Sequence, residues 1–349
     1  MEKYLRKCLD SLIIDDKDLF DMLEVLVIND GSKDSSSDIA HQYQDKYPNV
    51  FRVIDKENGN YGSCINRGLK EATGKYIKIL DADDFFDANV LNGYINFLFD
   101  QEADLVISDF NIVDEAGMVL SEFTYDLPLG RLFELKEIPT EMNALLFHQC
   151  ITYKRVLFLR FDYKQTENIS YTDDEWIFKP MMWIEKAVYY PHTLYLYLRG
   201  REGQTFDPKI IKRTLEQRVK VAKEMLLFYD ANIKHCMMQN CSYVTDKLVK
   251  RISAVYHYHL IRFHSSENEK RIEDFDSYLK QQNPDIYDRL NNETNRFGWH
   301  YVKQWRAMGY SNYAPALLIL RLNNLRKSVM GKYRVQIDRI PKHLMRQTV

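Results

Sequence analysis

The 349-residue chain lacks several things that would narrow its class quickly. Its five cysteines, Cys8, Cys64, Cys150, Cys236 and Cys241, form no CxxC pair. An odd count without a pattern reads as reduced cytosolic thiols. No charged-then-apolar leader opens the chain, and no apolar run is long enough to span a bilayer. A cytoplasmic protein is the expectation, and the Asn-x-Ser/Thr sites at Asn168, Asn240 and Asn292 then carry no meaning. A formal net charge of −2 supplies no global basic field, so no nucleic-acid partner is expected. There is no Gly-Lys-Ser/Thr phosphate loop, no dinucleotide fingerprint and no internal repeat.

What the chain does have is ordinary globular chemistry with a Tyr surplus. It is 45% hydrophobic and 28% charged, enough to bury a sizeable core, and its length suits two domains. The 24 tyrosines suit stacking on sugars or bases, although Tyr is also common filler.

The stretch that organises the rest is Tyr76-Ile77-Lys78-Ile79-Leu80-Asp81-Ala82-Asp83-Asp84. A buried strand is predicted over 76–80, ending in three carboxylates. In an open α/β sheet, ligands bind beyond the carboxyl ends of strands. Residues two apart on an extended segment point the same way, so Asp81 and Asp83 would face one crevice together. Two such carboxylates repel unless a cation or donors join them, and a hard divalent ion takes oxygen ligands. The bland alternative is an acidic capping loop, with Asp84 as the cap of the next helix.

Strand and helix alternate through the first hundred residues, which predicts a parallel α/β sheet. Met1–Ile14 reads as a helix with Leu5, Cys8, Leu9 and Leu12 on one face. A doubly wound sheet normally begins with a strand, so a first strand is expected to be missing. Val25–Ile28 is a buried strand running into Asn29-Asp30-Gly31-Ser32, where Gly31 fits a positive-φ turn. Ser35 with Asp38 resembles a capping box for a helix to Tyr47. Val50–Ile54 is a strand, Asn58-Gly59-Asn60-Tyr61-Gly62-Ser63 a Gly/Asn loop, and Ile65, Leu69 and Ala72 mark a helix closed by Gly74. Further along, Ala88–Phe99 is helical, Asp104–Ser108 a strand, 113–135 a possible hairpin, and 137–147 and 175–186 helices. Val188–Leu198 alternates as a strand. A boundary near 201–207 divides an α/β domain, 1–205, from a mostly helical remainder, 206–349.

Several further groups look chemical. Asp30 is placed to accept hydrogen bonds from a base or ribose, or else to bond its own turn. Tyr171-Thr172-Asp173-Asp174-Glu175-Trp176 puts three acids before a helix, favourable with the helix dipole, yet one of them could serve as a general base. Arg199-Gly200-Arg201-Glu202-Gly203-Gln204-Thr205 sets two arginines among glycines, suited to closing on a diphosphate or to serving as a solvated linker. His148, His192, His257 and His259 are scattered. His257 and His259 do not face one ion from a helix.

In this order the pieces resemble the family 2 glycosyltransferases with the GT-A fold, a three-layer sandwich with a mostly parallel central sheet. The resemblance covers roughly residues 1–205. Val27-Ile28-Asn29-Asp30-Gly31-Ser32 is similar to the family's Asp-Gly-Ser motif, Leu80-Asp81-Ala82-Asp83-Asp84 to its Asp-x-Asp, and Tyr171-Thr172-Asp173 to its late acidic motif. Arg199–Thr205 is similar to the closing loop of bacterial cell-surface polysaccharide members. The resemblance implies that Asp30 contacts the uracil of a UDP-sugar and that Asp81 holds the ribose or shares a metal. It implies that Asp83 binds manganese or magnesium bridging the diphosphate, and that Asp173 deprotonates the acceptor hydroxyl. Asn58, Gly62, Asn66, Arg199 and Arg201 would line the donor. With one base and no second nucleophilic carboxylate, single displacement with inversion is the expected course. Two departures stand out: the family's first strand, ending in Pro-x-Tyr-Asn, is absent, and Ile65-Asn66 stands where Arg-Asn is usual. A haloacid-dehalogenase phosphatase would want Thr or Val where Phe85 stands. The remaining alternative is a non-catalytic binding or scaffold protein. An acceptor would be a saccharide or lipid-linked. Ala314–Leu325 with Arg326, Lys327, Lys332 and Arg334 reads as a basic amphipathic helix for the inner membrane face, or as a helix packed on the transferase domain.

Overall fold

Apolar residues at helical spacing close the first element, as the pattern predicts. In the computed structural model, helix α1 (Glu2–Asp10) buries Leu5, Cys8 and Leu9. The structure describes residues 1–310 apart from 140, 141, 143, 144, 202, 206, 296 and 297. The basic segment from Ala314 lies outside the described residues, as does part of the helix predicted over 137–147.

After the short helix α2 (Lys17–Phe20) come strand β1 (Val25–Asp30), helix α3 (Ser36–Lys46) and strand β2 (Phe51–Lys56). The α3 crossover makes β1 and β2 parallel, pairing Val25 with Phe51 and Asp30 with Lys56. Ser35 precedes α3 but forms no capping box, because Glu2 takes its amide and Asp34 takes that of Ser36. Helix α4 (Asn60–Glu71) then leads to strands β3 (Tyr76–Ile77) and β4 (Phe85–Phe86), helix α5 (Ala88–Asp100), and strands β5 (Leu105–Val113) and β6 (Val119–Phe123). Strand β7 (Ile151–Lys154), helix α6 (Asp173–Trp176) and strand β8 (Ala187–Leu198) follow.

The large sheet has the order β3-β7-β5-β8-β4, with β6 also on β5. It is mixed rather than mostly parallel. Only β5 and β8 run parallel, while β3–β7, β4–β8, β5–β6 and β5–β7 are antiparallel. The reason is local: β5 turns back through Asp114–Gly117 into β6 as a hairpin, and a hairpin pair is necessarily antiparallel. Strand β5 is the sheet's buried spine, with Leu105, Val106 and Ile107 inaccessible to solvent.

Two predicted elements are shorter than the pattern implied. Strand β3 ends at Ile77 and pairs only with β7, so it is an edge of this sheet and not its centre. The helix predicted over 175–186 is one turn of α6 followed by a 3-10 turn over Lys179–Trp183, because Phe178 leaves helical geometry and Pro180 follows. Its Trp176, Phe178, Met181 and Met182 are nevertheless core.

The described chain divides into two compact units. One comprises Met1–Ile211 with Ala231–Val244 and holds every strand named above. In the other, Lys212–Asp230 with the chain from Thr245, apolar residues at helical spacing are buried at Leu215, Val219 and Leu226 and at Leu248, Ile252 and Val255. Its centre holds an ion pair, Arg306 with Asp276 at 2.6 Å, joined by the Tyr256 hydroxyl.

Candidate active site

Asp30 closes β1, and Gly31 behind it takes φ +70, the left-handed turn that glycine permits. Because β1 and β2 are in register, Lys56 ends its strand beside Asp30 and its ammonium pairs with Asp30 Oδ1. The Gly59 amide donates to the same oxygen at 2.9 Å, and Ser63 Oγ reaches it at 3.4 Å. The Asn58 side chain donates to the Asp30 carbonyl at 2.9 Å. Lys56 was missed in the sequence; its signal is the register of two strands separated by a helix.

Asp81 and Asp83 lie between β3 and β4 in a turn closed by the Asp84 amide on the Asp81 carbonyl at 2.9 Å. The segment is not extended there, so the alternation expected of a strand does not apply and the two carboxylates take different partners. Asp81 Oδ2 lies 3.1 Å from His148 Nε2, and Asp83 Oδ2 accepts from Arg201 Nε at 2.5 Å. Lys78 Nζ donates to the Gln149 carbonyl at 2.8 Å, tying the approach to this turn to the segment carrying His148. Asp84 is no helix cap; Asp87 caps α5. Asp84 is buried beneath the turn, accepting from the Tyr195 hydroxyl at 2.6 Å and the Leu198 amide at 2.8 Å. Burial, with Asp81 and Asp83 adding to it, pushes its pKa up to about 9. The support under the two site carboxylates therefore carries little charge of its own at neutral pH.

His148 and Tyr61 join this turn to Asp173. Burial favours a neutral His148 ring, but the Asp81 carboxylate, with Asp173 assisting, outweighs it and holds the pKa above the ordinary histidine value. The Tyr61 hydroxyl is buried without a hydrogen-bond partner among the described residues. Burial, then the charges of Asp81 and Asp173, raises its pKa. Asp173 opens α6. The arrangement thus brings Asp81, Asp83, Asp173 and Arg201 to one region of the first unit. Nothing local in the sequence marks His148 as a partner of Asp81.

Gly62 and Asn66 pack against the loop over 165–167. A Cβ on Gly62 would lie 1.9 Å from the Thr166 carbonyl oxygen. Asn66 clamps the same loop, donating to the Gln165 carbonyl and Glu167 Oε1 and accepting from the Gln165 amide, each at 2.8 Å. Both residues hold the loop that leads to Asp173. A cavity of about 220 Å³ lined by Asn66, Leu69, Asp162, Tyr163, Lys164 and Glu167 shares only Asn66 with the site residues. In the 199–205 segment, Arg199 lies 5.5 Å from the Tyr197 ring centre. Gln204 braces the segment through the Gly200 amide and the Leu198 carbonyl. The Tyr171 hydroxyl donates to the Thr205 carbonyl at 3.2 Å, linking the acidic loop to this segment.

Among the described residues no group of three or more His, Cys, Asp or Glu could hold a metal by itself. Asp81 and Asp83 still offer the hard oxygen donors that magnesium or manganese takes, with ligand oxygens completing the shell. Each is engaged through Oδ2, and neither Oδ1 takes a hydrogen bond among the described residues.

Residues 1–133 match the family described as glycosyl transferase family 2. Among curated proteins, glycosyltransferase GlyA of Streptococcus pneumoniae serotype 4 is 29% identical over 214 residues, 58% of this chain and 30% of that one. Putative glycosyltransferase EpsH of Bacillus subtilis is 38% identical over 109 residues, 31% of this chain and 30% of its own length. The minor teichoic acid biosynthesis protein GgaB of Bacillus subtilis is 30% identical over 156 residues, 44% of this chain and 17% of that protein. The matched stretch therefore spans less than a third of these relatives. Of solved structures, S. aureus TarS 1-349 superposes with a TM-score of 0.65 at 17% identity, covering 96% of this chain and 90% of that one. The same protein in complex with UDP-GlcNAc gives 0.65 at 16%, covering 92% and 89%. At that identity the likeness is one of fold, and the fold is GT-A.

Proposed function

We propose that this chain, which carries a family 2 glycosyltransferase domain of the GT-A fold, transfers a sugar from a UDP-sugar to a hydroxyl acceptor with inversion. The acceptor is a saccharide or a lipid-linked saccharide of a cell-wall or other surface polysaccharide. One observation carries the reading. Asp83 with Arg201, Asp81 with His148, and Asp173 gather in one region, although they come from four separate parts of the chain. The relatives' names point the same way: GgaB is named for teichoic acid biosynthesis, and TarS has been solved with UDP-GlcNAc.

In this mechanism Asp30 meets the nucleobase and Asp81 the ribose. Asp81 and Asp83 would hold the divalent ion, which when bound offsets the charge of the diphosphate. Arg199 and Arg201 stabilise negative charge as the bond from the anomeric carbon to the diphosphate oxygen breaks and its electron pair leaves with the diphosphate. The acceptor oxygen forms the new bond from the opposite face. Asp173 takes its proton, which inverts the centre in one displacement. His148 orients Asp81 without touching the reacting atoms. Among the described residues no helix is long and apolar enough to cross a membrane.

Calorimetric titration of UDP with manganese, then with chelator, tests the reading. Binding that requires the metal and disappears in Asp83→Ala supports it. A UDP affinity indifferent to both the metal and Asp83 would remove the metal site from the proposal.

A further inference from the structure

The Asp30 cradle is more constrained than a nucleobase contact requires. Lys56 spends all three ammonium hydrogens within the protein: on Asp30 Oδ1, on the Glu57 carbonyl at 2.6 Å and on Ser63 Oγ at 2.8 Å. It keeps no donor for a ligand. Asp30 Oδ1 in turn receives Lys56 and the Gly59 amide at 2.9 Å, while the one Ser63 hydroxyl hydrogen goes to the Asn60 carbonyl at 2.7 Å. Those two donors fill the roughly two lone pairs a carboxylate oxygen offers. Glycine at 59 is part of the device, since a Cβ there would lie 2.6 Å from Ser63 Oγ and push away the group that braces Lys56. Asp30 Oδ2 takes no hydrogen bond among the described residues, and the side chain keeps 20% of its surface.

We propose that Lys56 is a positioning residue that makes Asp30 a one-oxygen acceptor, so that the nucleobase pocket selects an imide edge, that of uracil or thymine, over guanine. The inference rests on the donor-site reading above and adds a specificity rule to it. An imide presents one N–H flanked by two carbonyls, which a single free carboxylate oxygen matches. Guanine presents two adjacent donors, N1–H and N2–H, that a carboxylate normally meets with both oxygens. With Oδ1 saturated, one guanine donor stays unpaired, and an unmade hydrogen bond in an enclosed site weakens binding by about tenfold or more. Cytosine and adenine have a ring-nitrogen lone pair where the imide has its N–H, so they reach Oδ2 only by shifting to bring their amino group against it.

Titrations of UDP, TDP, GDP and inorganic pyrophosphate, each with manganese, test this on the wild type, Lys56→Met and Lys56→Arg. The wild type is expected to bind UDP and TDP alike and GDP at least about tenfold more weakly. In Lys56→Met, Oδ1 keeps the Gly59 amide but regains one lone pair for a second base donor: pyrophosphate binding stays, and the UDP-to-GDP ratio falls to within about threefold. Lys56→Arg, which still donates to Oδ1, keeps the ratio. A merely structural lysine would weaken all nucleotides together and leave the ratio unmoved. A wild type that binds GDP as well as UDP, or a Lys56→Met that keeps the full ratio, overturns the inference alone. If Lys56→Met loses pyrophosphate binding too, the arginine variant decides: a kept ratio supports the inference, a lost one overturns it. A wild type that binds none of the four, pyrophosphate included, overturns the donor-site reading and this inference with it.

Discussion

Two glycines in helix α4, six residues apart, should respond to alanine in opposite directions. At Gly62 the added methyl would stand 1.9 Å from the Thr166 carbonyl oxygen, whereas ordinary contact begins near 3.4 Å. The loop must retreat by the difference, 3.4 − 1.9 = 1.5 Å. That loop is held by three Asn66 bonds at 2.8 Å, by Gln165 Nε2 on the Thr172 carbonyl at 2.7 Å and by the Thr166 amide on Glu175 at 3.0 Å. Losing two or three of these costs about 2–3 kcal/mol at roughly 1 kcal/mol each. Better helix propensity returns somewhat under 1 kcal/mol, so the net is destabilisation of about 2 kcal/mol. At Gly68 nothing lies within 4 Å of the same methyl, and alanine should stabilise by about 0.5–1 kcal/mol. Urea unfolding of the two variants side by side reads the difference, and steady-state rates of Gly62→Ala should fall as well, because the displaced loop leads to Asp173. Equal and stabilising effects at both positions would refute the packing of this loop on α4.

Asp173→Asn should lower turnover by on the order of 10²–10⁴ while UDP affinity stays within about twofold, since only the proton acceptor is removed. Unchanged turnover in steady-state assays would end its assignment as base. His259 tests the second unit through pH. It is buried, Nδ1 faces the Val255 carbonyl at 2.8 Å, and burial drives its pKa down from 6.5 to about 4. Above the unfolded value both states are neutral and the full stability is present. Between 6.5 and about 4 only the unfolded chain gains the proton, so stability falls as pH falls, by about 3 kcal/mol in all. Unfolding measured from pH 7 to 4 should show a shallower slope in His259→Leu than in the wild type.

The α/β character was legible because it rests on local periodicity. Leu5, Cys8 and Leu9 at helical spacing, the apolar run Val25–Ile28 and the alternation of Val188–Leu198 each declare their element. Strand direction was not, since only the β1–α3–β2 crossover leaves a mark in the sequence; the hairpin into β6 and the approach of β7 are decided by where loops reverse. Asp84 shows the limit for single residues. An acid just before a helix reads as its cap, yet Asp87 takes that role, and Asp84 is drawn under the turn by Tyr195 and Leu198, more than a hundred residues away in the chain. For the site, Asp30, Asp81, Asp83 and Asp173 stand out as carboxylates beside turns or helix starts. Lys56, His148 and Lys78, which hold or brace them, are ordinary until strands and loops from distant parts of the chain meet.

The pairing of charges bears on the puzzle of the Asp-x-Asp turn, where two carboxylates should not face one crevice unaided. The chain supplies its own counter-charges: Lys56 to Asp30, His148 to Asp81 and Arg201 to Asp83. Asp84, lying closest to both site carboxylates in sequence, is held in its neutral form by burial. The three paired carboxylates are only partly buried, with side chains 13–28% exposed, so each pair is a modest interaction that still offsets the acid's charge locally. Hence the site is electrostatically closed before any ligand arrives. A cation that binds Asp81 and Asp83 has to add to His148 and Arg201 or displace them, and its affinity is set by that competition as much as by the two aspartates.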